Sequence, residues 1–226
     1  LKLAIISDIH SNLPALNATL DAINLHECQK VVCLGDIVGY GAQPNECIDR
    51  LRALTIPCIL GNHDAAAIGR LSPETMNKYA RQAIEWTASI ITEPSRRFLQ
   101  QLSLSMELEG AFLVHASPNQ PEEWRYIFNE AESKPAFRAF TNTVGFYGHT
   151  HFPVVFTEAD TGRRLINVGS VGQPRDRDPR ACFGLFDTVT GAFRWERVPY
   201  PVEEASEQIL ASGLPDFLAE RLQAGI

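Results

Sequence analysis

Three short apolar runs, each stopping at a polar loop, constrain this chain more than any other feature. Leu3–Ile6 runs into Ser7-Asp8-Ile9-His10, Val31–Leu34 into Gly35-Asp36, and Ile56–Leu60 into Gly61-Asn62-His63-Asp64. Runs of this length bounded by turn residues read as strands buried on both faces. Between them, Leu13, Leu16, Leu20 and Ile23 recur at helical spacing after the N-cap candidate Asn12, with Pro14 in the first turn. Pro44 leads a second helix with Cys47, Leu51 and Leu54 on one face. The order β-α-β-α-β calls for parallel strands with right-handed crossovers. Such sheets carry their sites beyond the carboxyl ends of the strands. Asp8, His10, Asp36, Asn62 and His63 are therefore expected along one edge. Alternation along extended backbone would point Asp8 and His10 to the same side.

Further along, Ser72-Pro73-Glu74 opens a helix over 74–91, and another follows Pro94 near 95–101. Segments 104–108 and 111–114 read as a hairpin turning at Glu109-Gly110, whose second strand delivers His115. The stretch 118–128, with Trp124, Tyr126 and Phe128, reads as a long loop near the site. A short helix is expected over 134–141. The run 144–147 ends in Gly148-His149-Thr150-His151. Strands over 152–157, 163–168, 181–187 and 192–198 form a meander, and helices over 203–211 and 216–222 close the chain. No repeat, linker or low-complexity segment interrupts it. A single domain over 1–226 is expected, with two sheets flanked by helices.

Of six histidines, five (His10, His63, His115, His149, His151) fall at predicted strand ends beside Gly, Ser, Asp or Asn; His26 closes the first helix. His, Asp and Asn without Cys suit Mn, Fe, Zn or Ni better than a thiolate-bound structural zinc. The five cysteines (Cys28, Cys33, Cys47, Cys58, Cys182) form no C-x-x-C pair, which points to a reduced, cytoplasmic protein. A formal charge of −7 gives no basic field for a stable nucleic-acid partner. No apolar run approaches the roughly 20 residues that cross a bilayer, so no membrane is expected. The N-terminal run is too short, and lacks the basic flank, for a signal peptide.

The ordered blocks D-x-H (Asp8, His10), G-D (Asp36), G-N-H-D (Asn62, His63, Asp64), a lone His after a strand (His115) and G-H-T-H (His149, His151) resemble the calcineurin-like metallophosphoesterase superfamily. The plain V-H-A-S-P, G-S-V-G-Q-P-R at Gly169–Arg175 and the chain length are similar to its compact bacterial and archaeal phosphodiesterase branch. The resemblance implies an α/β fold, a four-layer αββα sandwich of two mixed sheets with helices outside. It implies two divalent metal ions, Mn first, with Fe, Ni or Zn as alternatives. Asp8, His10 and His151 would hold one ion, Asn62, His115 and His149 the other, and Asp36 would bridge them. A hydroxide between the ions would attack phosphorus in line. His63 would then stabilise the phosphoryl oxygens or protonate the leaving oxygen, with Asp64 orienting its ring.

Ser/Thr protein phosphatases of the superfamily carry G-D-x-x-D-R-G. The corresponding stretch here reads G-D-I-V-G-Y-G, with Gly39-Tyr40 where Asp-Arg would stand. An arginine fork favours a dianionic terminal phosphate, so its absence tilts the expected phosphate-ester substrate toward a diester. The alternatives are a phosphomonoesterase or phosphoprotein phosphatase on the same site, or a non-catalytic binding scaffold. Tyr40, Arg125 and Arg175 are candidate substrate contacts. Arg175 and Arg177 can equally belong to a salt-bridged loop, and Tyr40 and Trp124–Tyr126 to packing. Assembly into a homo-oligomer is compatible with all of this.

Overall fold

A computed structural model describes residues 1–226. In chain order its elements are β1 (Lys2–Ile6), α1 (Leu13–Leu25), β2 (Lys30–Cys33), α2 (Pro44–Ala53), α3 (Asn62–Ala67), α4 (Lys78–Ile90), α5 (Glu93–Gln100), β3 (Ser105–Leu108) and β4 (Ala111–Val114). Then come α6 (Glu130–Phe137), β5 (Val144–Tyr147), β6 (Val154–Thr157), β7 (Arg164–Asn167), β8 (Ala181–Asp187), β9 (Phe193–Val198), α7 (Val202–Ala211) and α8 (Asp216–Ala224).

The strands form two mixed sheets, ordered β2-β1-β8-β9 and β3-β4-β5-β7-β6. In the first, β1 runs parallel to β2 and antiparallel to β8; in the second, β5 lies parallel to both β4 and β7. Leu3, Ile5, Val32 and Leu34 of the first sheet meet Leu113, Val144, Phe146 and Ile166 of the second in a fully buried layer. The opposite face of β1, Ala4 and Ile6, packs on Leu16, Leu20 and Ile23 of α1 and on the helices beyond. The outer face of the second sheet is covered by Phe137 of α6, with Phe140, Tyr147, Phe156 and Leu165. The result is the expected sandwich, and continuous apolar runs are explained by burial on both faces.

Local differences have local causes. Ile56–Leu60 is extended but is not a full strand: it pairs through single parallel bridges, Cys33 to Cys58 and Ile59 to Ser103. Pro57 lacks the N–H that a longer ladder would use. The helix expected over 74–91 begins later. Pro73–Thr75 forms one tight turn, and Asn77 then caps α4 by accepting hydrogen bonds from the N–H groups of Tyr79 and Ala80. Asn129 likewise starts α6 four residues before the expected 134, by accepting from the Glu132 N–H. No helix is long and apolar enough to cross a membrane.

Candidate metal centre

The loops that leave β1 and β2 are zipped together. Asp8 N–H donates to Gly35 O, His10 N–H to Asp36 O and Ser11 N–H to Ile37 O, all at 2.9–3.0 Å. The loops after β5 and β7 are tied across to them: His149 N–H donates to the Asp8 carboxylate at 3.0 Å, and Gly172 N–H to Asp8 O at 2.9 Å. These ties hold unusual backbone. Asp8, His10, Asp36, Tyr40, His149 and His151 all have φ between 49° and 64°. Left-handed backbone costs an ordinary L-residue about 1–2 kcal/mol, and Asp and His tolerate it better than most. Asp8 and His10 therefore share a side through two left-handed residues beyond β1, and not through strand alternation, since β1 ends at Ile6.

Two glycines let these loops close. A Cβ on Gly148 would collide with Ser7 Oγ and the Asp8 carboxylate, and one on Gly61 with Asp36 Oδ1. The glycines of G-H-T-H and G-N-H-D are thus steric requirements of the two buried carboxylates beside them.

All seven expected ligand positions come together, each 8 % exposed or less. His10 Nδ1 lies 3.1 Å from Val38 O and His151 Nδ1 2.6 Å from Gln173 O. A carbonyl can only accept, so Nδ1 carries the hydrogen in both rings. Their Nε2 lone pairs then face each other at 3.1 Å, with Asp8 Oδ1 3.2 Å from that of His151. His115 repeats the pattern. Its Nδ1 donates to Leu34 O at 2.8 Å, and its Nε2 faces Asn62 Oδ1 at 3.1 Å and Asp36 Oδ2 at 3.3 Å. His149 is turned the other way: Nε2 donates to Trp124 O at 2.9 Å, leaving Nδ1 for the group Asp36, His115, His149. Imidazole nitrogens and carboxylate oxygens converging this closely repel unless a proton or a metal cation lies among them, so the residues fit a metal centre with N and O donors.

The electrostatics agree. Burial disfavours ionisation of Asp8, but the charge and hydrogen bond of His151, with His115, hold its carboxyl below the usual range. Burial likewise opposes Asp36, and His115 and His63 outweigh it. Burial also opposes protonation of His115, yet Asp36 and Asp8 push its pKa up to about 9. The cluster draws positive charge to this spot. His149, by contrast, is lowered to about 3 by burial and the charge of His115.

His63 lies in the same pocket, its ring centroid 4.8 Å from that of His10 and 4.5 Å from that of Tyr40. Its backbone N–H donates to Asp36 Oδ1 at 2.8 Å, while its Nδ1 has no partner. Burial lowers its pKa to about 4, so the ring is neutral. Asp64 does not orient this ring. Its oxygens accept from the N–H groups of Ile37, Val38 and Gly61, tying α3 to the loop after β2. Burial and the charge of Asp36 push Asp64 up to about 7.

The three candidate substrate contacts separate. Tyr40 is buried against His10 and His63. Arg175 sits over the Tyr40 ring at 5.7 Å. Arg125 is half-exposed and paired with Glu123, and it does not line the groove that its neighbours Trp124 and Tyr126 line. The ion pairs of the 175–180 loop belong to Asp176 with Arg197 and Asp178 with Arg180, leaving Arg175 and Arg177 outside them. Beside the centre lies a groove of about 580 Å³ lined by Tyr40, His63, Leu71, Met76, Trp124 and Tyr126. Tyr126 stacks on His149 with centroids 4.1 Å apart. Sequence reasoning missed Arg221, which reaches Tyr40 from α8; one arginine on a terminal amphipathic helix carries no signal of its own.

Residues 1–191 match the calcineurin-like phosphoesterase superfamily domain. The chain is 40% identical over 243 residues to an uncharacterized protein of Methanocaldococcus jannaschii, covering 99% of this chain and 98% of that one. It superposes on the crystal structure of a metallophosphoesterase from Sphaerobacter thermophilus with a TM-score of 0.89, at 36% identity over 100% of this chain and 99% of the other. It is also 27% identical over 195 residues to phosphodiesterase YfcE of Escherichia coli K12, covering 83% of this chain and 88% of that protein.

Proposed function

From the premise that the chain belongs to the calcineurin-like phosphoesterase superfamily, and so is a hydrolase of phosphate esters, we propose that it is a phosphodiesterase carrying two divalent ions, with manganese the favoured metal. The carrying observation is the convergence of bare imidazole nitrogens and carboxylates around Asp36. In this reading Asp8, His10 and His151 would hold one ion, Asn62, His115 and His149 the other, and Asp36 would contribute to both. The ions would supply Lewis-acid charge for the phosphoryl oxygens and bring bound water toward a pKa of about 7.

The chain's own residues do the rest. Hydrolysis adds a water oxygen to phosphorus, breaks one P–O bond and delivers a proton to the departing oxygen. His63, neutral and fixed against Tyr40, offers a ring N–H to the phosphoryl or leaving oxygen. Leu71, Met76, Trp124 and Tyr126 line the groove where the organic part of the ester would lie. The diester preference rests on Tyr40 standing where an arginine fork would grip a dianion, and on the similarity to a protein named a phosphodiesterase. The proposal takes 1–226 as one domain, and the five free cysteines fit a reducing compartment such as the cytoplasm.

The test compares bis(p-nitrophenyl) phosphate with p-nitrophenyl phosphate, using metal-stripped protein with and without Mn²⁺. Mn-dependent turnover, at least about tenfold faster on the diester, is expected, a difference of about 1.4 kcal/mol. Faster monoester turnover would overturn the diester assignment, and turnover without any divalent ion the metal assignment.

A further inference from the structure

Two guanidinium groups meet over one buried tyrosine at the edge of the candidate metal centre, and neither pairs with an Asp or Glu side chain. Arg175 Cζ lies 5.7 Å and Arg221 Cζ 5.8 Å from the Tyr40 ring centroid. Arg175 spends Nη2 on Gln173 Oε1 at 2.8 Å, and its Nε is buried with no partner. Arg221 spends Nε on Ile226 O at 2.6 Å and leaves both terminal nitrogens free. Most other arginines of the chain are exposed or ion-paired, so two part-buried guanidiniums held together without an Asp or Glu partner are exceptional here. A cation–π contact offsets only about 0.5–2 kcal/mol of such an arrangement. Burial, and the neighbouring charge of Arg175, lower Arg221 to about 10. Like charges kept together out of water call for an anion between them.

We propose that Arg175 and Arg221 form an anion subsite beside the metal centre that receives a phosphate group of the substrate other than the one cleaved. The placement decides between the two phosphates. Neither guanidinium forms an ion pair with Asp8 or Asp36, although both carboxylates are ionised nearby. The arginines therefore stand back from these two acids, with Arg175 close enough to His10, His63 and His151 for its charge to oppose their protonation. Tyr40 lies between, its ring 4.7 Å from His10 on one hand and under the two guanidiniums on the other. Arg221 comes from α8, beyond residue 191, where the match to the family domain ends. The subsite thus joins Arg175, from the loop between β7 and β8, to Arg221, which the C-terminal helix α8 adds.

The substrate class that fits is a phosphodiester or phosphoanhydride bearing at least one further phosphate, and it rests on the phosphoesterase reading above. Inorganic anions separate the two. The Mn-loaded protein is titrated calorimetrically with orthophosphate and with pyrophosphate. Wild type should bind pyrophosphate at least about tenfold more tightly, the scale of hydrogen bonds to a charged group. Arg221→Gln and Arg175→Gln should each remove most of that preference, and Arg221→Lys should keep part of it, since a point charge replaces a planar fork. Thermal melts of each variant verify folding. Equal loss for both anions would overturn the proposal by placing the arginines on the cleaved phosphate. An unchanged preference would overturn it by making them structural. Should bis(p-nitrophenyl) phosphate prove inert, the diester reading fails while the pyrophosphate preference still decides the subsite.

Discussion

A buried imidazole with an unpartnered nitrogen is costly unless something outside the chain completes it, and His63 is in that position. The side chain is 4 % exposed and wedged against Tyr40 and His10, yet Nδ1 meets no acceptor or donor. What residue 63 gives Asp36 is its backbone N–H, which any residue would keep. His63→Ala should therefore lower kcat by about 10²-fold or more, the usual range for a lost acid–base or donor group. Metal content measured by elemental analysis should stay at the wild-type level. Metal loss in this variant would make His63 a ligand, which its place beside His10 and Asp36 permits. The contrast with Asp64 shows where sequence reasoning fails at this scale. Adjacent letters in N-H-D suggest a His–Asp partnership, but on a helix i and i+1 point to different sides. Once α3 forms, Asp64 faces the backbone of the neighbouring loop and His63 the pocket.

At the level of elements, the loops matter more than the strands, and one capping residue links several of them. Asn12 Oδ1 accepts from Ala15 N–H at 3.1 Å and starts α1. Its Nδ2 donates to Gly172 O at 2.9 Å and reaches the Tyr200 hydroxyl at 3.2 Å. Gly172 N–H in turn donates to Asp8 O. Asn12→Ala should cost about 2–3 kcal/mol, a cap of about 1 kcal/mol plus a buried carbonyl left without its donor. Urea unfolding would read this as a lower midpoint with an unchanged slope; a loss under about 0.5 kcal/mol would refute the bracing role. This organisation was legible where an element announces itself locally. The apolar runs of β1, β2 and β5 gave their strands, and the Gly, Asp and His letters after them gave the site. It was not legible where tertiary context decides. The 56–60 run reads like β1 yet finds only bridge partners, α3 is held by an Asp64 contact to Gly61 N–H, and Arg221 is brought to Tyr40 only by the docking of α8.

For the whole molecule, the centre is a set of like-natured acceptors shared between both sheets, so its occupancy should bear on global stability. Asp8 and Asp36 follow strands of the first sheet, and His115, His149 and His151 follow strands of the second. Lone pairs of His10 and His151 opposed at 3.1 Å push these halves apart at the carboxyl ends of their strands. A divalent ion binding only the folded chain removes that repulsion and stabilises by mass action, about 4 kcal/mol at a thousandfold excess over Kd. In a chain of 226 residues each kcal/mol shifts Tm by about 2–4 °C. Calorimetric scans should show Tm higher by about 8–16 °C with saturating Mn²⁺ than after chelation. Asp36→Asn should lose most of that increment, because the carboxylate nearest both His10 and His115 becomes a neutral amide. The same Tm with and without metal would mean that protons at the histidines, starting with His115, already neutralise the cluster, and that the two sheets hold together without it.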